Sequence, residues 1–211
     1  MIQNIRKISQ IFGVIFTLVL LAAGIWYFNF ILVASGLLLS VFMGRYFCGW
    51  FCPMGTFAER VLVKISKNRP PHKIFSSKPF QYAFAVFFFA AIFIARKNFH
   101  SLYVVLGMML SVGIMATLLA IFYQPRTWCG SLCPWGTVMT TVSFNRRFKL
   151  EIGEDCKNCR VCTKVCNIPQ QLHQSLDERK EKSGKVYIGD RCINCLACVE
   201  KCPTKQIKIK E

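Results

Sequence analysis

Acidic residues are almost missing from the first 149 positions of this 211-residue chain: Glu59 stands alone there against fifteen Lys and Arg, a net charge of +14. Positions 8–44 carry no charge of either sign. Histidine is scarce, with only His72, His100 and His173. None lies inside an apolar run, so a bis-histidine haem b within a bilayer is not expected. No G-x-G-x-x-G opens a helix and no G-x-x-x-x-G-K-[ST] loop occurs, which removes the usual seats of a dinucleotide and of ATP. No Ser/His/Asp set stands out. What is abundant is apolar: 54% hydrophobic residues, nineteen of them Phe, which excludes a disordered chain. From position 150 the composition changes to twelve Lys and Arg against nine acids, with eight of the twelve cysteines. That break divides the chain into domains at 1–149 and 150–211.

The 37 residues between Lys7 and Arg45 would span about 55 Å as one helix, nearly twice a hydrocarbon core. They predict two helices, near 8–27 and 30–44, turning at the aromatic and Asn stretch 26–30. A second pair is predicted at 80–95 and 102–123, with Lys78 and Arg96 snorkelling from the shorter member. No A-x-A cleavage site follows the first segment, so it reads as a span and not a signal peptide. Lys and Arg number none in the first turn, two in the second, seven in the central connection and sixteen from Arg126 onward. Four crossings of an inner, cytoplasmic membrane fit these counts, with both termini and the central connection in the cytoplasm.

The connections hold an internal repeat. Arg45-Tyr-Phe-Cys48-Gly-Trp-Phe-Cys52-Pro-Met-Gly-Thr56 recurs 81 residues later as Arg126-Thr-Trp-Cys129-Gly-Ser-Leu-Cys133-Pro-Trp-Gly-Thr137, with seven of twelve positions identical. Each copy follows an apolar hairpin, so the hairpins form a parallel repeat about an axis along the membrane normal. That symmetry would bring the two motifs together at the cytoplasmic edge. Pro53 and Pro134 suit first helical positions. Cys52 and Cys133 then stand at helix N-termini, where the dipole, with Arg45 and Arg126 upstream, is expected to lower a thiol's pKa. Three uses stay open for Cys48, Cys52, Cys129 and Cys133: a third iron–sulfur cluster or metal site, redox-active thiols, or small apolar packing.

The tail reads Cys156-x2-Cys159-x2-Cys162-x3-Cys166 and then Cys192-x2-Cys195-x2-Cys198-x3-Cys202-Pro203, the spacing of bacterial two-cluster ferredoxins. Three close cysteines wrap three corners of a cubane, and in this pattern the fourth serves the other cluster. Cluster one is therefore assigned to Cys156, Cys159, Cys162 and Cys202, and cluster two to Cys192, Cys195, Cys198 and Cys166. Zinc sites show paired C-x2-C with longer spacers, and disulfides do not suit a cytoplasmic side. Cys166 departs from the pattern, with its Pro displaced to Pro169. The polar insert 170–185 is expected as a surface loop or short helix. Two oxidised clusters would bring about −4 to a tail of +3, so no nucleic-acid face is indicated, and the positive excess belongs beside anionic lipid. Trp50 and Trp135 flank the membrane cysteines and are candidates to line a quinone pocket. Glu59 is a candidate quinol proton acceptor or an ordinary partner of Lys or Arg, and His100 a candidate quinone contact or interfacial residue.

Two C-x3-C-P motifs behind apolar hairpins, followed by a two-cluster ferredoxin, resemble the NapH-type membrane ferredoxins. NosR- and CcoG-type proteins share that core. The resemblance implies an α-helical membrane protein of four transmembrane helices with a small α+β ferredoxin domain. It further implies an inner-membrane component that relays electrons between a quinone (menaquinone or ubiquinone) and a redox partner, as a subunit of a larger oxidoreductase complex. A CcoG-like role, reducing a metal for the maturation of a partner metalloenzyme, is the alternative, and a redox-sensing anchor a third.

Overall fold

The computed structural model describes residues 2–23, 28–98, 101–143, 147–181 and 184–210. Trp26 and Tyr27 of the expected first turn, and His100, lie outside the described residues.

The first half is helical. α1 (Ile2–Ala22) and α2 (Phe28–Met43) form the first hairpin, and the motif that follows folds into two short helices, α3 (Tyr46–Trp50) and α4 (Pro53–Phe57). A π-turn (Ala58–Leu62), then α5 (Val63–Ile65) and α6 (Lys73–Ser76), lead to the second hairpin, α7 (Lys78–Asn98) and α8 (Ser101–Phe122). The second motif holds a π-turn (Trp128–Leu132) and α9 (Pro134–Val142). Among the described residues two helices are long and apolar enough to cross a membrane, Ile2–Ala22 and Lys78–Lys97, and Val33–Met43 and Leu106–Phe122 are shorter apolar stretches. All four carry large apolar side chains open to the surroundings, among them Phe12, Leu38, Phe87 and Leu110. The predicted bounds differ at one end: α1 starts at Ile2, because Arg6 and Gln10 are buried and bonded inside the protein and do not end the helix at a lipid surface.

The hairpins interlock. α1 packs on α4 and α7 on α9, so the first helix of each pair meets its own motif. α2 packs on α9 and α8 on the π-turn after α4, so the second helix of each pair meets the other copy. Gly13 permits the α1 contact, since a Cβ there would run into the carbonyl of Phe51.

The C-terminal domain is a small sheet with helices. β1 (Leu150–Ile152) lies between β2 (Val186–Tyr187) and β3 (Ile207–Ile209), antiparallel to both. Leu150 and Ile152 alternate inward with Glu151 between them, which faces Lys185 at 3.8 Å. α10 (Val161–Val165) and α12 (Ala197–Lys201) follow the two cysteine runs, and α11 (Pro169–Glu181) lies between them. Leu172 and Leu176, four residues apart on one face, seal a core with Ile152, Ile188 and Ile207. The insert expected as a surface loop or short helix is thus a thirteen-residue helix that closes the core. Only two apolar positions carry that contact, which is why composition concealed it.

Candidate functional site

The two cysteine runs of the tail fold alike. Asn158 and Arg160 in the first, and Asn194 and Leu196 in the second, have positive φ between 48° and 59°. Such left-handed residues turn successive backbone N–H groups into a concavity that suits an anion. The thiols divide across the runs. Cys162 is pushed above its ordinary value by burial and by the thiols of Cys156, Cys159 and Cys202. Cys198 is pushed up by burial and then by Cys192, Cys195 and Cys166, ahead of Cys162. Cys166 rises to about 12 through burial, with Cys195 and Cys192 as its stronger thiol neighbours and the Ile168 N–H acting the other way. Burial opposes, but the Thr204 hydroxyl and the N–H groups of Gln206, Ile207 and Thr204 hold Cys202 below the usual thiol range. Asn167 Nδ2 donates to Cys195 Sγ at 3.8 Å. N–H donors aimed at sulfur are what a cluster-bound thiolate requires, so the donor set fits an iron–sulfur cluster.

The two membrane motifs are equally alike. Cys52 and Cys133 occupy N-cap positions with Pro at the first helical residue, as expected. In both copies the second cysteine's N–H reaches back five residues, Cys52 to Phe47 at 3.0 Å and Cys133 to Trp128 at 2.8 Å. The Thr56 hydroxyl donates to the Cys52 carbonyl and Thr137 to Cys133, each at 3.2 Å. The lowered thiols expected at these helix ends are not found. Burial, with Cys48 and Cys129 nearby, drives Cys52 up to about 12 against the Gly55 N–H and Arg126. Burial likewise raises Cys133, which has Cys129, Cys48 and Cys52 as neighbours. Desolvation outweighs the dipole at a site closed from water. The four cysteines converge, and among the described residues no three His, Cys, Asp or Glu lie close enough to share a single metal ion.

The repeat arginines cross between copies. Arg126 donates to the carbonyls of Cys48 and Gly55 in the first motif, each at 3.2 Å. Arg45 donates to the carbonyl of Cys129 in the second. Each guanidinium lies over the partner motif's second glycine: a Cβ on Gly55 would stand 2.9 Å from Arg126 Nη2, and one on Gly136 would collide with Arg45 Nη2. Both arginines are buried, at 1% and 2% exposure, and Arg45 Nε, Arg45 Nη1 and Arg126 Nε have no hydrogen-bond partner among the described residues. Arg191 adds a third guanidinium, lowered to about 10 by burial and then by the charge of Arg45. Glu59 is the carboxylate beside this group, paired with Arg6 and, at 2.8 Å, with Arg126. Unpaired buried guanidinium N–H groups are costly. An anionic group among the four cysteines removes that cost, and a four-thiolate cluster carries such a charge.

The first glycine of each motif seats the C-terminal domain. A Cβ on Gly49 would collide with the carbonyl of Ile193, and one on Gly130 would stand 3.3 Å from Ile168 Cγ2. Arg191 donates to the Gly130 carbonyl, the Trp50 indole to Asn194 O at 3.1 Å, and Gln3 to Cys195 O at 2.9 Å. Cys48 packs in one apolar cluster with Ile168, Ile193 and Cys195. The displaced Pro169 thus frees Ile168 for docking. Gly49→Ala is expected to loosen the domain, because backbone must retreat, whereas Gly130→Ala meets only a side-chain methyl. Limited proteolysis of the two variants in detergent, cutting Gly49→Ala several-fold faster, checks this order.

The remaining candidates make other contacts. Glu59 is an ion-pair partner of Arg6 and Arg126, and Gln10 donates to it at 2.7 Å. Trp50 is buried at the domain contact, stacked on Tyr46. Trp135 meets Phe89 edge-on at 5.3 Å. The main apolar groove, about 520 Å³, runs between α7 and α8 past Phe84, Phe88 and Met108 and reaches Trp128. Trp128, next to Cys129, was not singled out for this place. The buried Trp128 Nε1 has no hydrogen-bond partner among the described residues.

Comparison with known proteins gives matching chemistry. Residues 10–71 and 106–152, just over half the chain, match a family described as 4Fe-4S binding domain, and residues 155–207 match one described as 4Fe-4S dicluster domain. An uncharacterized protein of Methanocaldococcus jannaschii is 24% identical over 85% of this chain and 88% of its own length. A second from the same organism is 24% identical over 67% of this chain and 59% of its own. An Escherichia coli protein named "Putative electron transport protein YccM" is 25% identical over 64% of this chain and 45% of its own. The chain thus spans little more than half of the second relative and under half of the third. No solved structure matches.

Proposed function

The chain belongs to the 4Fe-4S binding domain family, and from that premise we propose that it is a membrane-bound electron-transfer protein relaying electrons between the quinone pool and a redox partner, resembling NapH-type ferredoxins. One observation carries this reading: the C-terminal domain is docked so that Cys195 packs with Cys48, bringing its cysteines against the membrane motifs. Cys156, Cys159, Cys162 and Cys202 would hold one cluster, and Cys192, Cys195, Cys198 and Cys166 a second. Cys48, Cys52, Cys129 and Cys133 would hold a third, and the buried guanidinium groups of Arg45 and Arg126 beside them suit its negative charge. Bound there, each cluster takes up and releases one electron. The chain's part is to bury the thiolates, direct N–H groups to sulfur and keep the second and third sites in contact.

The exposed apolar faces of α1, α2, α7 and α8 support four crossings, with the basic connections and the C-terminal domain in the cytoplasm. A redox subunit of a larger oxidoreductase is the expected partner. For the quinone, the α7–α8 groove is the apolar seat, and the Trp128 indole N–H at its end is a donor free for a quinone carbonyl. Trp128→Phe is then expected to weaken quinol-driven cluster reduction at least several-fold while leaving the iron content unchanged, as stopped-flow absorbance would show.

Iron and acid-labile sulfide per chain, with EPR on anaerobically purified protein, test the main reading. About twelve irons, with one signal lost on Cys48→Ser or Cys129→Ser, are expected. About eight irons and no third signal would sink the third site. One contact favours a second reading: Cys48 Sγ lies 3.6 Å from the buried Met139 Sδ, a soft pair that suits Cu(I). Exchangeable copper at the membrane cysteines, with eight irons, would mark a metal-reducing maturation factor instead.

A further inference from the structure

The two halves of the membrane site are related by the repeat, and they differ at one electrostatically decisive position. Arg126 lies over Gly55, and Glu59, one turn beyond that glycine, pairs with it at 2.8 Å. Arg45 lies over Gly136 in the same way. The position one turn beyond Gly136, 81 residues after Glu59, is Thr140. Its hydroxyl donates to the Gly136 carbonyl at 2.8 Å and offers no charge. Among the described residues Arg45 makes no ion pair, and two of its nitrogens lack a partner. The backbone marks the same difference, since the first copy widens into a π-turn at Glu59 whereas α9 runs on as an α-helix to Val142.

We propose that Glu59 is a positioning residue for the four-cysteine membrane centre: its carboxylate, shared between Arg6 and Arg126, orients Arg126 and offsets its charge, whereas no carboxylate pairs with Arg45 among the described residues, and this one-sided arrangement sets the redox potential of that centre. The inference rests on the reading that Cys48, Cys52, Cys129 and Cys133 hold a cluster. Its physical basis is the charge of the reduced state. Reduction adds one negative charge at a buried site, and buried charges at short range are weakly screened. An uncompensated guanidinium favours the reduced form, and a nearby carboxylate opposes it. Removing the carboxylate from the Arg126 side raises the potential. Adding one at position 140, the repeat equivalent of Glu59 and one turn beyond the glycine that Arg45 covers, lowers it. A role limited to packing would not give two shifts of opposite sign.

The test is an EPR-monitored redox titration of the full chain, purified anaerobically, as wild type, Glu59→Gln, Thr140→Glu and Thr140→Gln. The expected result is a shift of the third signal by roughly tenfold in its redox equilibrium, about 59 mV for a one-electron couple, upward in Glu59→Gln and downward in Thr140→Glu. Thr140→Gln, which adds bulk without charge, leaves it in place. The signal of the site at Cys156, Cys159, Cys162 and Cys202 stays fixed in all four proteins. A third signal present at full intensity that stays put in both charge variants, or moves the same way in both, overturns the inference and leaves the cluster reading intact. Should Glu59→Gln lose iron, Thr140→Glu decides alone, and an unmoved signal there overturns it. A wild-type protein with no third signal overturns the cluster reading itself and this inference with it.

Discussion

Cys166→Ser is expected to strip the cluster site of Cys192, Cys195 and Cys198, thirty residues away in the chain, and to spare the site of its own run. Cys166 lies with Cys195 and Cys192, while Cys202 is the thiol that joins Cys156, Cys159 and Cys162. About four irons should be lost in each single variant, but different ones. Cys202→Ser should remove the site remote from the membrane motifs. Cys166→Ser should remove the site packed on Cys48 and so break the contact between the domain and the membrane centre. The two variants are therefore unequal in function though equal in iron. Quinol-driven reduction of the remaining tail cluster should vanish in Cys166→Ser, and that of the adjacent cluster should persist in Cys202→Ser. Iron analysis with EPR and stopped-flow absorbance separates them. Loss of the same signal in both variants would show that each run serves one cluster, against the swapped arrangement.

Much of this site is legible in the sequence because cysteine spacing is local and chemistry restricts it. The twelve cysteines, their three groups and the prolines that open α4 and α9 follow from short motifs. The repeat is legible too, but its purpose is not. Arg45 and Gly136, or Arg126 and Gly55, are joined across copies, and no periodic signal links residues so far apart. The clue was available in the identities themselves: an arginine and two glycines repeated alongside the cysteines need work that thiols do not explain. The structure supplies it, with the first glycine admitting the C-terminal domain and the second admitting the other copy's arginine. The thiols of Cys52 and Cys133 are raised and not lowered because burial, a property of the whole assembly that no short motif encodes, outweighs the helix dipole. α11 was underestimated for a similar reason, since Leu172 and Leu176 alone turn a polar segment into a core element. Trp128 belongs to no repeated identity, since Phe47 stands at its place in the first motif, and only the groove between α7 and α8 reveals it.

Arg126→Met should be the most damaging single change outside the cysteines. The guanidinium holds four things at once: the carboxylate of Glu59, the carbonyls of Cys48 and Gly55, and the buried charge balance beside Cys129 and Cys52. Against the burial that works to lower it, Glu59 and the neighbouring thiols keep its pKa raised, so it is a cation under all ordinary conditions. Removing it leaves Glu59 with Arg6 alone and leaves two carbonyls without their donor. Breaking a buried pair in this way costs about 3–5 kcal/mol, which for a chain of this size corresponds to a melting temperature lower by about 10 °C. Lys should not restore it, because an ammonium is a point charge and cannot fork between the carboxylate and two carbonyls. The double variant Arg126→Met with Glu59→Gln should recover part of the loss, since the carboxylate that has lost one of its two cations is then gone. Differential scanning fluorimetry of the four proteins in detergent reads the cycle. If the double variant is as unstable as the sum of the singles, the pair is not coupled and Arg126 acts only through the two carbonyls. If it recovers, the stability lies in the ion pair, and the membrane centre should still be missing from its EPR spectrum. The arginine, and not Glu59, donates to the carbonyls of Cys48 and Gly55 and lies beside Cys52 and Cys129, so restoring neutrality at Glu59 repairs the fold without repairing the site.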